Sequence, residues 1–246
     1  MTIEQFEKQL NILHEDNHII VVVKPRNMPS QADKSGDKDL LTFIKEYLKL
    51  KYQKPGNVYL ALVHRLDRPT GGVMMFAKTD KAAARLSEQL REGEVGKKYL
   101  AVVGGEPRDK QGRLQHYLIK DERNNIVKAN VGAVTGSKSA VLDYKVLDHN
   151  EGLSLVDINL ITGRGHQARV QMAAIGHALY GDHKYSPAGK IAGYGKPLSL
   201  WAYSLTFTHP VSKDTLVFKV FPPVEEIPWS LFPMDKHIPI IKPQLT

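Results

Sequence analysis

Val156-Asp157-Ile158-Asn159-Leu160 alternates apolar and polar side chains with a period of two. This is the pattern of a half-buried β-strand, packed on one face and open on the other. Ile19-Ile20-Val21-Val22-Val23 is instead a continuous β-branched run, which reads as a strand buried on both faces. Lys24-Pro25 ends it, because proline has no N–H to give the ladder. Val73 to Phe76, Tyr99 to Val103 and the late alternation of Leu216, Phe218 and Val220 read as further strands, and residues 111–161 as several antiparallel ones. Helices are fewer. Leu40, Ile44, Tyr47 and Leu48 fall on one helical face. Thr79 can cap a second helix whose Ala83, Leu86 and Leu90 share a face and which Gly93 stops. Gly163-Arg164-Gly165 opens a third, carrying Val170, Ala173 and Ala174 and closed by Gly176. Strands that outnumber helices in an irregular order predict an α+β fold, with a mixed, mostly antiparallel β-sheet flanked by helices and loops. With no repeat and no linker, residues 1–246 read as a single domain, and the proline-rich segment 222–246 as a covering tail.

Composition narrows the function. The 246 residues are 42% hydrophobic, enough for a sizeable core. A net charge of +8 favours a polyanionic partner, nucleic acid ahead of anionic lipid. The absence of cysteine removes disulfides, thiolate zinc sites and cysteine nucleophiles together. The N-terminal residues lack a signal-peptide pattern, and Ile19 to Val23 is too short to cross a membrane. The expectation is a cytoplasmic protein with no membrane partner.

Two polar clusters carry candidate chemistry. His64-Arg65-Leu66-Asp67-Arg68-Pro69-Thr70-Gly71-Gly72 lies between two apolar stretches, and its proline and glycines force a tight loop. A carboxylate flanked by Arg65 and Arg68 should stay ionised, and an ionised carboxylate can act as nucleophile or base. On spacing alone, a simple Asx-turn with solvated arginines is the stronger reading. In the second cluster, Leu160 to Arg169, a strand runs into a glycine turn and a helix start. Backbone N–H groups there, with Arg164 beside them, suit an anion or a carboxylate. The same residues also fit an Arg164 that caps local carbonyls, with His166 and Gln167 as ordinary first-turn residues.

Together the clusters resemble the RluA-type pseudouridine synthases, whose signature loop is H-R-L-D-x-x-T-S-G. Three further segments match in order: Asp16 to Pro25, Lys97-Lys98-Tyr99-Leu100-Ala101-Val102-Val103, and Gly163-Arg164-Gly165-His166-Gln167-Ala168-Arg169 with Gly176-His177 and Gly181-Asp182 beyond it. The resemblance spans roughly residues 10–222. Departures are Gly71 for serine, Gly165 and Ala168 for threonine and isoleucine, and Ala178 where proline is common. The resemblance implies an enzyme that isomerises uridine in ribosomal or transfer RNA. Asp67 would attack the uridine, Tyr99 would stack on the flipped uracil, and Arg164 would pair with Asp67 in a mostly buried ion pair. A core-filling role is the alternative for Tyr99. Arg65 would enter the RNA where the base leaves. His64, Arg68, Lys98, His166, Gln167 and Arg169 complete the residues that the resemblance places on RNA. Only about 18 residues precede the first strand, too few for the N-terminal RNA-binding domain that many members carry. Nothing suggests an obligate dimer, so a monomer is expected.

Rival readings are weaker. His64 to Asp67 echoes the kinase H-R-D loop, but a leucine interrupts it, position 72 is glycine, and no D-F-G follows. The ten histidines form no H-E-x-x-H pattern. No metal site and no cofactor are expected, since no G-x-G-x-x-G loop is present and an isomerisation needs no redox partner. A non-catalytic RNA-binding protein on the same fold is the rival from another class. Asp67, Tyr99 and Arg164 together argue against it, because a binding module needs no such carboxylate.

Overall fold

The computed structural model describes residues 2–187 and 192–238. Within the length that reads as one domain, the chain forms two compact units, one holding residues 2–95 and 204–220, the other 96–203 and 221–238. The first unit opens with a helix, α1 (Ile3–Leu10), that the sequence reading left unassigned. Thr2 and Gln5 cap it reciprocally, and Asn11 ends it in the left-handed region at φ 45°. Its buried Phe6 meets Phe43 of α2 (Leu40–Lys51), with ring centroids 4.9 Å apart. Strand β1 (Ile12–Glu15) and strand β2 (Ile19–Lys24) pair antiparallel, and β2 pairs antiparallel with β4 (Gly71–Ala77), which also takes the short β3 (Ala61–Leu62). All six residues of β2 and all seven of β4 are buried, which explains their unbroken apolar runs. Helix α3 (Asp80–Glu92) is capped by Thr79 and closed by Gly93 in the left-handed region, as its sequence predicts. Its buried residues are Ala82, Leu86 and Gln89, so the buried face is turned slightly from the expected Ala83, Leu86 and Leu90. Gln89 is inside because its amide exchanges two hydrogen bonds with the backbone of Thr208, each of 2.9 Å.

The second unit is an antiparallel array. Strand β5 (Gly96–Gly104) pairs with β9 (Leu153–Leu160), β9 with β8 (Lys138–Asn150), β8 with β6 (Gln111–Asp121), and β6 with β7 (Ile126–Asn130). The alternation in β9 is real but leans inward: Ser154, Leu155, Val156, Ile158 and Leu160 are buried, while Asp157 and Asn159 are half-buried. Helix α4 (Gln167–Ala174) follows the glycine turn, starting after His166 rather than at Gly163. It buries Gln167 through Met172, and Ala174 is exposed, so the expected apolar face is corrected. Polar side chains anchor this helix from within. The Gln171 amide donates to the carbonyls of Leu114 and Ala140 at 3.2 Å each.

Strand β10 (Leu200–Thr208), missed by the sequence reading, leads the chain back to the first unit, where it pairs antiparallel with β11 (Thr215–Lys219). Val220 falls just outside β11. In the second unit, a 3₁₀ turn (Trp229–Leu231) and α5 (Met234–His237) bury Trp229, Phe232 and Met234. The part of the expected covering tail from residue 239 onward lies outside the described residues. The architecture is α+β with a mixed, mostly antiparallel sheet. No helix among the described residues is long and apolar enough to cross a membrane.

In the first unit, Glu15 is a hub of charge. Its carboxylate accepts from Lys78 (2.8 Å), Lys51 (2.9 Å) and Tyr52 (2.7 Å), and the Glu15 and Lys78 side chains are both almost wholly buried. Burial pushes the Glu15 carboxyl up, but these bonds outweigh it and hold the pKa at about 2, against an ordinary 4.5. A depressed carboxylate pKa stabilises the fold above the unfolded value, and that stability is lost as pH falls through the folded one. Unfolding measured by denaturant should therefore show stability declining from about pH 4.5 down to pH 2. Lys78→Met should cost about 3 kcal/mol at neutral pH, at the low end for a broken buried pair because Lys51 and Tyr52 remain on Glu15. An undiminished stability in that variant would show that Lys51, Tyr52 and Tyr47, whose hydroxyl also donates to Glu15 at 3.0 Å, suffice.

Candidate active site

In the first unit, the loop from His64 to Thr70 is bound down at both shoulders of Asp67. The Ser30 hydroxyl donates to the Leu66 carbonyl (2.8 Å) and accepts from the Leu66 N–H (3.2 Å). On the other side, the Lys24 ammonium donates to the Arg68 carbonyl (3.0 Å). The Thr70 N–H closes a turn onto the Asp67 carbonyl (2.9 Å), and His64 Nε2 accepts the Met75 N–H (3.1 Å), tying the loop to β4. Leu66 is buried as the loop's apolar plug, Arg65 is exposed, and Asp67 is partly buried between its two anchors. The exposed Arg68 guanidinium pairs with Asp37.

Lys24 is the residue that sequence reading missed. It was visible only as a lysine after five apolar residues, at the end of a strand buried throughout. Lys24 is opposite Gly72 in the β2–β4 register and is fully buried. Its three N–H donors meet three carbonyls, those of Pro25 (3.0 Å), Met28 (2.6 Å) and Arg68. Only the ammonium form has three hydrogens to give. Burial pushes this ammonium down to a pKa of about 7. The Asp67 carboxylate works against that shift and the Arg68 charge works with it.

In the second unit, Tyr99 is buried on β5, opposite Ile158 of β9. Arg164 is exposed, with its Nε donating to the Ser139 carbonyl at 3.1 Å. A mostly buried Arg164 is thus corrected: its glycine-flanked turn lies at the surface, where solvent screens the guanidinium. Two residues expected on RNA are buried and bonded within the unit. Gln167 is buried, and its amide accepts from Thr162 and the Arg164 N–H and donates to the Val141 carbonyl. Arg169 is buried and holds Asp182 in a two-pronged ion pair of 2.8 Å per bond, its guanidinium lying 5.1 Å from the Tyr185 ring centre. His166 is half-buried, with Nδ1 bonded to the Tyr185 hydroxyl. Lys98 is exposed, 3.8 Å from Asp157. No cluster of three or more His, Asp or Glu among the described residues could hold a metal ion.

The family model for RNA pseudouridylate synthase matches residues 18–174. The dual-specificity RNA pseudouridine synthase RluA of Escherichia coli is 35% identical over 218 residues, covering 87% of this chain and 93% of that protein. The uncharacterized RNA pseudouridine synthase YhcT of Bacillus subtilis is 34% identical over 212 residues, covering 85% of this chain and 67% of its own length. The solved structure of human RNA pseudouridylate synthase domain containing 4 superposes with a TM-score of 0.74 at 25% identity, covering 90% of this chain and 91% of that one. The chain belongs to the RNA pseudouridylate synthase family, among its RluA-type members. It is accordingly an isomerase that acts on RNA.

The Lys24 clamp has a measurable signature. With a folded pKa of about 7 against an ordinary 10.5, the unfolded chain keeps a proton that the folded one releases between those values. Stability contributed through Lys24 should then rise with pH across that window, and be lowest below about pH 7. Denaturant titrations of the wild type and Lys24→Met, from about pH 6 to about pH 10.5, read this as a widening difference in favour of the wild type. A difference that is flat in pH would mean that the three carbonyls keep the ammonium charged.

Proposed function

We propose that Asp67 is the nucleophile of the isomerisation, with Tyr99 stacking on the uracil, Arg164 as a further catalytic residue, and Arg65 filling the gap left by the extruded base. The observation that carries this reading is the bracing of Asp67. Its loop is fixed at Leu66 by Ser30 and at Arg68 by Lys24, which leaves a carboxylate on a rigid support. Reactive groups need such preorganised support to meet a substrate in one geometry. The exposed Arg65, two residues away, is free to move into RNA.

The overall change breaks the N1–C1′ glycosidic bond and forms a C5–C1′ bond. The C5 hydrogen leaves to solvent and N1 takes up a proton, so the substrate and product are isomers. Asp67 attacks and is regenerated, and no oxidant, reductant or activated water enters. Extruding the base costs a few kcal/mol, which stacking on Tyr99 and insertion of Arg65 offset. The substrates we infer are ribosomal or transfer RNA, acted on in the cytoplasm by a monomer. The names of the relatives support the choice of RNA alone: one is a dual-specificity RNA pseudouridine synthase, and another, 34% identical and from Zymomonas mobilis, is ribosomal large subunit pseudouridine synthase D.

Release of tritium from RNA labelled at uracil C5 tests the assignment. Asp67→Asn keeps the shape and removes the nucleophilic charge, so release should fall to background while the melting temperature is retained. Activity comparable to the wild type would remove Asp67 from this role. Arg164→Lys should be only a partial loss, because a lysine keeps the charge but lacks the planar five-donor fork of arginine. Exhaustive chelation should leave release unchanged on an RNA whose own fold does not need magnesium. Loss of activity under EDTA on such an RNA would contradict a metal-independent isomerisation.

A further inference from the structure

Two lysines adjacent on β5 have opposite situations. Lys98 is half-exposed and lies near a carboxylate, that of Asp157. Lys97, on the other face of the strand, is largely shielded, and its ammonium has no hydrogen bond or ion pair among the described residues. Its charged neighbour is another cation, Arg164, and burial together with that guanidinium pushes the Lys97 pKa down. The ammonium lies against Gly163 so closely that a methyl group there would meet Nζ at 3.4 Å. An ammonium withdrawn from water, beside a second cation and with three unused donors, is a configuration that an arriving anion stabilises.

Position on the strand says which anion. Side chains two residues apart on a strand share a face and stand roughly 7 Å apart. Lys97 is therefore on the same side of β5 as Tyr99, the residue proposed to stack on the uracil. A nucleotide whose base is engaged at Tyr99 must carry its own backbone phosphates a short way along. We propose that Lys97 holds a backbone phosphate of the RNA nucleotide engaged at Tyr99. This rests on the reading of Tyr99 as the stacking residue, and it adds a phosphate subsite whose principal donor is outside the set of RNA contacts expected from the sequence. Lys98 and Lys97 then divide the work: one side chain faces Asp157 within the unit, and the other is kept for the substrate.

The test is the salt dependence of RNA binding by the full chain, using an in vitro transcribed RNA that the wild type modifies or, if none is found, bulk transfer RNA. Each phosphate contact adds to the slope of log affinity against log salt. Lys97→Met should weaken binding several-fold and reduce that slope by about 1, while Lys97→Arg should keep the wild-type slope. Melting temperatures of both variants show whether each is folded, and Lys97→Arg carries the test if Lys97→Met is not, since its slope must then match the wild type. An unchanged slope in a folded Lys97→Met overturns the proposal. So does an unchanged slope with a fall in kcat alone, which would assign Lys97 to the carboxylate chemistry. Tritium release by the wild type is scored separately. A wild type that releases none, yet shows the slope difference, would sink the catalytic assignments and leave the phosphate contact standing.

Discussion

A single buried ammonium fixes the ground on which the catalytic loop stands. Lys24 ends a strand in which every residue is buried, a position where a charge is costly unless its hydrogens are all engaged. Three backbone carbonyls engage them, two from the turn that follows the strand and one from the residue after Asp67. The same contact therefore closes the Pro25–Met28 turn and pins the loop 44 residues further on. Ser30 repeats the arrangement on the other side of Asp67 with two bonds to Leu66. The backbone around the carboxylate is thus held by buried side chains, and Arg65 stays exposed outside that frame.

The second unit solves its own loop problem by the same means. Helix α4 is short and has little apolar face, and half of the six residues it buries are polar: Gln167, Arg169 and Gln171. Each of these is bonded outside the helix, Gln167 to Thr162 and Val141, Arg169 to Asp182, and Gln171, through its NH2 group alone, to Leu114 and Ala140, while the Gln171 Oε1 is buried with no hydrogen-bond partner among the described residues. A buried ion pair such as Arg169–Asp182 is weak evidence of net stabilisation, because desolvation opposes its Coulomb attraction. Its value here is geometric. Asp182 also accepts the N–H groups of Lys184 and Tyr185, so one carboxylate fixes the turn that presents Tyr185 to His166 and to the Val127 N–H. Polar residues that look like ligand contacts can thus be the joinery behind the exposed ones.

Legible in the sequence were the strands β2, β4, β5 and β9, the helix α2, the helix α3 with its Thr79 and Gly93 boundaries, the α+β class, and the family through its ordered motifs. These are local properties: periodicity, β-branching and cap chemistry act over a few residues, and the motifs are contiguous. It did not reveal α1, because an eight-residue helix with only Phe6 and Leu10 buried has a faint apolar signal and relies on its capping box and on α2. Only the tertiary structure decided what each charged residue is for. Arg169 and Arg164 stand five positions apart in one motif, yet one is buried on Asp182 and the other is exposed at a glycine turn. Lys97 and Lys98 are neighbours, yet only one has a carboxylate at hand. The physical reason is that a charge takes its role from burial and from partners. Arg169 finds its partner 13 residues away, and one of the three Lys24 partners lies 44 residues away, beyond anything that local spacing encodes.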